Sequence, residues 1–135
     1  MALRAVSNFG SGGGTPVTET TGTFTPTDAS GAGLTFAASS GNYHKVGKNV
    51  LIWGYVTYPS TASAVQAIIG GLPFASSNTS INGFPSVAAF VVGASTWFVN
   101  KNATTMGLGT NGAAVNNVVV SGATVYFSGV YPTDT

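Results

Sequence analysis

Between Val50 and Tyr58 the chain reads VLIWGYVTY, a run of β-branched, aliphatic and aromatic residues without a single charge. Such residues lose side-chain freedom in a helix and pack well on a pleated surface, so the run is expected to be a strand. Alternation divides it into one face of Val50, Ile52, Gly54, Val56 and Tyr58 and another of Leu51, Trp53, Tyr55 and Thr57. Neither face is strongly polar. Both should therefore be covered, one by a sandwich core and the other by a neighbouring subunit.

The remainder of the chain supplies partners for such a strand. From Thr21 onward, short apolar runs alternate with glycine, serine, proline and asparagine, with turn signals every ~8–12 residues. Strands are expected at Thr21–Thr25, Leu34–Ala38, Asn42–Val46, Val50–Tyr58, Ala64–Ile69, Phe84–Val92, Thr96–Val99, Thr104–Leu108, Val118–Val120 and Thr124–Val130. Gly47-Lys48-Asn49 reads as a three-residue hairpin turn, with Lys45 and Lys48 solvated beside it. One helical turn is expected, near Ala62–Gln66. The fold class is all-β, an antiparallel β-sandwich or jelly roll over residues 21–135.

Residues 1–20 read differently. Leu3, Arg4, Val6 and Phe9 precede the glycine run Gly10-Ser11-Gly12-Gly13-Gly14, the pattern of an extended N-terminal arm on a flexible linker. A purely solvated tail does not need Leu3, Val6 and Phe9. These residues are the candidates for an arm that becomes ordered against a partner.

Charge narrows the functional classes. Only 5% of the 135 residues are charged and the net charge is +1, against about 25% charged residues in ordinary soluble domains. No long-range field exists to steer nucleic acid or to hold an anionic membrane. Weak charge also gives weak protection against self-association, which suits a protein that works inside an assembly. The apolar windows Val50–Tyr58 and Val87–Ala94 are far shorter than the roughly 20 residues of a bilayer-spanning helix, and the N-terminus lacks a secretory h-region.

Chemistry-bearing residues are sparse. There are no cysteines, one histidine (His44) and three carboxylates, Glu19, Asp28 and Asp134. Counting alone leaves a Ser-His-Asp arrangement of Asp28, His44 and some serine open, but no G-x-S-x-G elbow marks the nucleophile. A carboxylate pair would need two groups in one cleft, whereas Glu19 reads as linker and Asp134 as terminus. His44 could ligate a metal only on a symmetry axis, one residue from each subunit. Gly107-Leu108-Gly109-Thr110-Asn111-Gly112 matches G-x-G-x-x-G, yet the β-branched AAVNNVVVSG that follows marks a hairpin loop rather than a phosphate-binding helix start. Asn78-Thr79-Ser80 and Asn102-Ala103-Thr104 fit the glycosylation sequon by composition. Tyr55, Tyr58, Trp97 and Phe98 could stack on sugar rings, with core or subunit packing the competing role. No enzyme and no cofactor is expected.

Three motifs carry a family likeness. Thr21-Gly22-Thr23-Phe24-Thr25-Pro26, then Gly41-Asn42-Tyr43-His44-Lys45-Val46-Gly47-Lys48-Asn49-Val50, then Ile69-Gly70-Gly71-Leu72-Pro73-Phe74 resembles a pattern common in tailed-bacteriophage structural proteins. The pattern is G-T-[W/F]-T-P, a Gly-x-Tyr-x-Lys-[Val/Ile]-Gly hairpin and a Gly-Leu-Pro-Phe turn, found in C-terminal domains of tail fibres and related virion surface proteins. The resemblance spans Thr21–Phe74 and departs from the family at Phe24, where tryptophan is frequent. It implies a β-sandwich working as a homotrimer on the virion, and it carries over no catalytic residue.

The expected function is a homotrimeric capsid decoration (cement) protein on the head, whose arm contacts the major capsid protein. The alternative is a tail-fibre or tail-tip receptor-binding protein whose loops, Ser76–Gly83 and Asn100–Asn117, meet a host surface glycan. The short arm, the absence of a trimeric stalk and the starting Met1 favour the head. A non-viral lectin or glycan-active enzyme would need an aromatic cleft or a carboxylate pair.

Overall fold

A computed structural model describes residues 15–78, the backbone of 86–89, and residues 95–135. The arm residues Leu3, Arg4, Val6 and Phe9 lie outside them, as do 79–83 of the Ser76–Gly83 loop and most of the strand expected at Phe84–Val92.

The strands are β1 (Glu19–Phe24), β2 (Thr27–Asp28), β3 (Ala38–Val46), β4 (Asn49–Thr57), β5 (Ile68–Gly70), β6 (Ser86–Ala89), β7 (Thr96–Val99), β8 (Met106–Thr110), β9 (Ala113–Ala114) and β10 (Thr124–Pro132). Every pairing among the described residues is antiparallel. One hydrogen-bonded path, β1-β3-β4-β10-β6-β7-β8-β5-β2 with β9 on β8, folds over into two layers. The layers are β1-β3-β4-β10 and β6-β7-β8-β5-β2. They join where β10 pairs β6, among the described residues through Phe127↔Ala89 and Ser128↔Ala88. Both contribute to a single core, Val50, Ile52, Val56, Val125 and Phe127 from one and Ile69, Trp97, Met106 and Leu108 from the other. The protein is an all-β antiparallel sandwich.

β3 and β4 form its longest hairpin, and the turn differs from expectation. Val46 pairs with Asn49, so the loop is only Gly47-Lys48. Gly47 has φ +57 and Lys48 is not among the positive-φ residues. This pattern fits a type II′ turn, which needs glycine at its first central position alone. Asn49 is thereby free to begin the next strand. β3 also starts at Ala38 rather than Asn42, while Leu34 to Ala37 is irregular because Asp28 anchors it. The Asp28 carboxylate accepts from the Ser30 N–H (3.0 Å), the Ser30 hydroxyl (2.6 Å) and the Leu34 N–H (2.9 Å). Partial burial pushes this carboxyl up, but those donors outweigh it and hold the pKa below its ordinary 3.8.

Two further elements depart from the sequence reading. The helical turn expected at Ala62–Gln66 does not form: the Thr61 hydroxyl accepts from the Ser63 N–H and the Ser63 hydroxyl from the Val65 N–H. Hydroxyls that bond the backbone two residues on compete with helix formation. Val118–Val120, expected as a strand, belongs to a 3₁₀ helix, Asn117–Val120. Its first N–H groups are taken by the Val65 and Ser63 carbonyls, which leaves no free ladder for strand pairing. The G-x-G-x-x-G match is a hairpin, as expected. Asn111 (φ 50) and Gly112 (φ 82) turn β8 into β9 in the manner of a type I′ turn.

Candidate functional site

The three motifs that lie far apart in sequence meet at one place. Gly22 pairs with Tyr43 and Phe24 with Gly41 across β1 and β3. A Cβ on Gly41 would lie 2.4 Å from the Phe24 ring and one on Gly22 2.7 Å from the Tyr43 hydroxyl, so each glycine is the seat of an aromatic ring. Tyr43 then meets Phe74 of the Gly-Leu-Pro-Phe turn edge-on, with ring centroids 5.3 Å apart. Gly71 (φ +85) passes so close to the Thr25 carbonyl that a Cβ would stand 2.5 Å from it. The Tyr131 hydroxyl donates to the Phe74 carbonyl (2.9 Å), tying this cluster to β10. Burial pushes that phenol up to about 12.

Lys45 belongs to the same cluster rather than to solvent. It points to the face of Tyr43, where its Nζ donates to the Gly47 carbonyl and to the Thr135 carbonyl (3.0 Å) and lies 5.5 Å over the Phe74 ring. Lys48 is exposed, as expected. His44 faces the opposite way from Tyr43 and Lys45, and its Nε2 is 3.7 Å from Glu19 Oε2. Glu19 is a residue of β1, not of a linker. Asp28 is committed to its own loop. Asp134 accepts from the Ser77 hydroxyl (2.6 Å) and the Asn78 N–H (2.8 Å), which lowers its pKa. Among the described residues no three of His, Cys, Asp or Glu gather as a metal site.

The outward face of β1-β3-β4-β10 is where unpaired surface accumulates. Registers across the strands place His44, Leu51 and Val130 in one row, Asn42, Trp53 and Ser128 in the next, and Ser40, Tyr55 and Tyr126 in the third. Leu51 is 44% exposed, Trp53 43%, Tyr126 53% and Val130 46%. The inward set, Val50, Ile52 and Val56, is buried. The alternation read from the sequence therefore divides the strand into a buried face and a partly exposed one. The second and third rows line an open cleft of about 450 Å³ floored near Gly54 and Phe127 and flanked by Trp53, Tyr55, Tyr126, Ser40, Asn42 and Ser128. The Tyr55 and Tyr126 rings lie 6.0 Å apart, tilted by 47°.

Of the aromatic residues singled out as sugar platforms, Tyr58 and Trp97 are core residues and Phe98 is half-buried against Gly109. Tyr55 alone lines the cleft. Trp53 and Tyr126 join it there, and their signal was the odd–even alternation of two strands whose pairing only the fold reveals. A second apolar patch lies elsewhere: Val65, Val118 and Val119 are all exposed and are brought together by the backbone bonds of the 3₁₀ helix to Ser63 and Val65.

No family model, no curated protein and no solved structure matches this chain.

Proposed function

We propose that this protein is a structural component of a tailed-bacteriophage virion, a homotrimeric decoration (cement) protein on the outer surface of the head. The carrying observation is an almost uncharged surface with two separate aliphatic patches, one around Leu51 and Val130 and one formed by Val65, Val118 and Val119. A cyclic trimer needs two different patches on each subunit, because its contacts are heterologous. Patches of this kind on a monomer mark association surfaces. The packing of the three motifs into one cluster supports the virion resemblance, since it gives their spacing a structural reason.

The mechanism is ligation of the shell. A trimer seated across capsid subunits binds the assembled form alone, so it stabilises that form by mass action. Three arms, each with Leu3, Arg4, Val6 and Phe9, would add avidity on the major capsid protein. Immunogold electron microscopy of intact virions, with antibody raised against the purified chain, tests the placement. Gold spread over the head is the expected result.

A second reading is a tail-fibre or tail-tip protein that recognises a host surface glycan. One observation favours it, the cleft of Trp53, Tyr55 and Tyr126 on the exposed sheet face. Gold confined to the tail end would replace the first reading with this one.

A further inference from the structure

We propose that the cleft on the outer face of β3, β4 and β10 is a carbohydrate-binding site for a neutral pyranose unit. The proposal deepens the glycan-recognition reading and rests on it for biological context, but the site itself is argued from its own chemistry.

Two rows of side chains form it. Asn42, Trp53 and Ser128 stand abreast, and Ser40, Tyr55 and Tyr126 stand abreast beside them. Each row therefore sets an aromatic plate beside a small hydroxyl or amide. A pyranose has the matching duality, with an apolar C–H face for the electron-rich ring surface and equatorial hydroxyls around its rim. The volume of about 450 Å³ is within the roughly 300–1,000 Å³ of small-molecule sites. Among the described residues, the side chains of Ser40, Asn42 and Ser128 have no protein hydrogen-bond partner, so their donors and acceptors are available to a ligand.

The same details argue against a second copy as the occupant of these two rows. Interfaces are depleted in serine, whereas Ser40 and Ser128, with Asn42, stand among the eight residues that line the cleft. The aliphatic row of Leu51 and Val130 and the valine patch offer better ground for self-association. Ligand charge follows as well. No charged side chain lines the cleft, so nothing there would compensate the desolvation of a carboxylate. A hexose or N-acetylhexosamine fits; a sialic acid does not.

The two tryptophans make the test direct, because Trp97 is 0% exposed and Trp53 is 43% exposed. A ligand-dependent change in tryptophan emission therefore reports Trp53. The probes are maltotriose, cellotriose, chitotriose and lactose, with sialyllactose as the charged comparison, titrated into the full-length protein and cross-checked by ligand-observed NMR. At least one neutral probe should give a saturable response in both. Tyr126→Ala should weaken it about tenfold, Trp53→Ala should abolish the NMR response, and Asn42→Ala should weaken binding while keeping the Trp53 reporter. Far-ultraviolet dichroism of each variant checks that the fold is retained.

No response from any probe overturns the site, as does binding that survives Trp53→Ala or that requires sialyllactose. Acrylamide quenching that leaves Trp53 shielded in the ligand-free protein also overturns it, in favour of a subunit contact. Failure here is separable from failure of the tail reading. Sugar binding with gold on the head keeps the site and removes the tail; gold on the tail without sugar binding does the reverse.

Discussion

Replacing Asp28 by asparagine isolates one carboxylate in a chain whose Asp and Glu total only 3. The Ser30 N–H and hydroxyl both use Oδ1, and the Leu34 N–H uses Oδ2. An asparagine oriented to keep Ser30 turns its NH₂ toward the Leu34 N–H, donor against donor. That loses one hydrogen bond to a charged acceptor and weakens two others, at a cost of about 2 kcal/mol. The pH dependence separates charge from shape. Because the folded pKa of Asp28 is lowered, its stabilisation is fully present above the unfolded value and is lost as pH falls through the folded one. Urea unfolding of wild type and Asp28→Asn should therefore differ by about 2 kcal/mol near pH 7, and the gap should narrow as pH falls below the ordinary carboxylate value of 3.8 and through the lower folded one. A gap that stays constant across that range would refute the charge argument. No gap at all would show that the loop from Asp28 to Leu34 holds without its carboxylate.

Other perturbations give equally definite outcomes. Gly54→Ala places a Cβ 2.2 Å from the Ser40 carbonyl oxygen and 2.7 Å from the Phe127 ring; since backbone must move, a loss of about 3 kcal/mol or more is expected in the same unfolding assay. Tyr131→Phe removes the bond to the Phe74 carbonyl and should cost about 1–2 kcal/mol. Tyr58 and Tyr131 both have phenols raised by burial, so their stabilisation is present below the unfolded value of 10 and is lost as pH rises toward the folded values. Spectrophotometric titration should show both ionising with alkaline unfolding rather than before it. Val119→Asp, on an exposed site, tests the proposed trimer: dichroism should stay unchanged while sedimentation shifts toward monomer, and an unaltered trimer would remove the valine patch from the subunit contact.

The parts of this fold that were legible in the sequence are those governed by alternation. β4 shows it most plainly, because a period of two needs no knowledge of partners: Val50, Ile52 and Val56 went inward and Leu51 and Trp53 outward. Elements decided by backbone competition were not legible. The valines of Val118–Val120 have strand-forming side chains, yet the carbonyls of Ser63 and Val65 capture the N–H groups there. Ala62–Gln66 misled in the opposite direction, since its apolar content hid the hydroxyl turns of Thr61 and Ser63. The cleft was half legible. Tyr55 could be named from its strand, but Tyr126 reaches it only because β10 pairs with β4 in a register that places the two tyrosines opposite each other. Lys45 was misread because a turn residue is ordinarily solvated, and nothing local announces Phe74 and Thr135 as its neighbours.

The position of β10 has a kinetic consequence. It is the last strand in chain order, yet it lies between β4 and β6 in the interior of the sheet path. During synthesis β1, β3 and β4 can zip together early, because their pairings are close in sequence. β4 must then wait, with an unsatisfied edge, until Thr124–Pro132 has left the ribosome. The closing step is a long-range one, which places such a topology among the slower folders, on the order of milliseconds to seconds. A nascent chain that stalls before β10 presents an open, hydrophobic sheet edge to its neighbours.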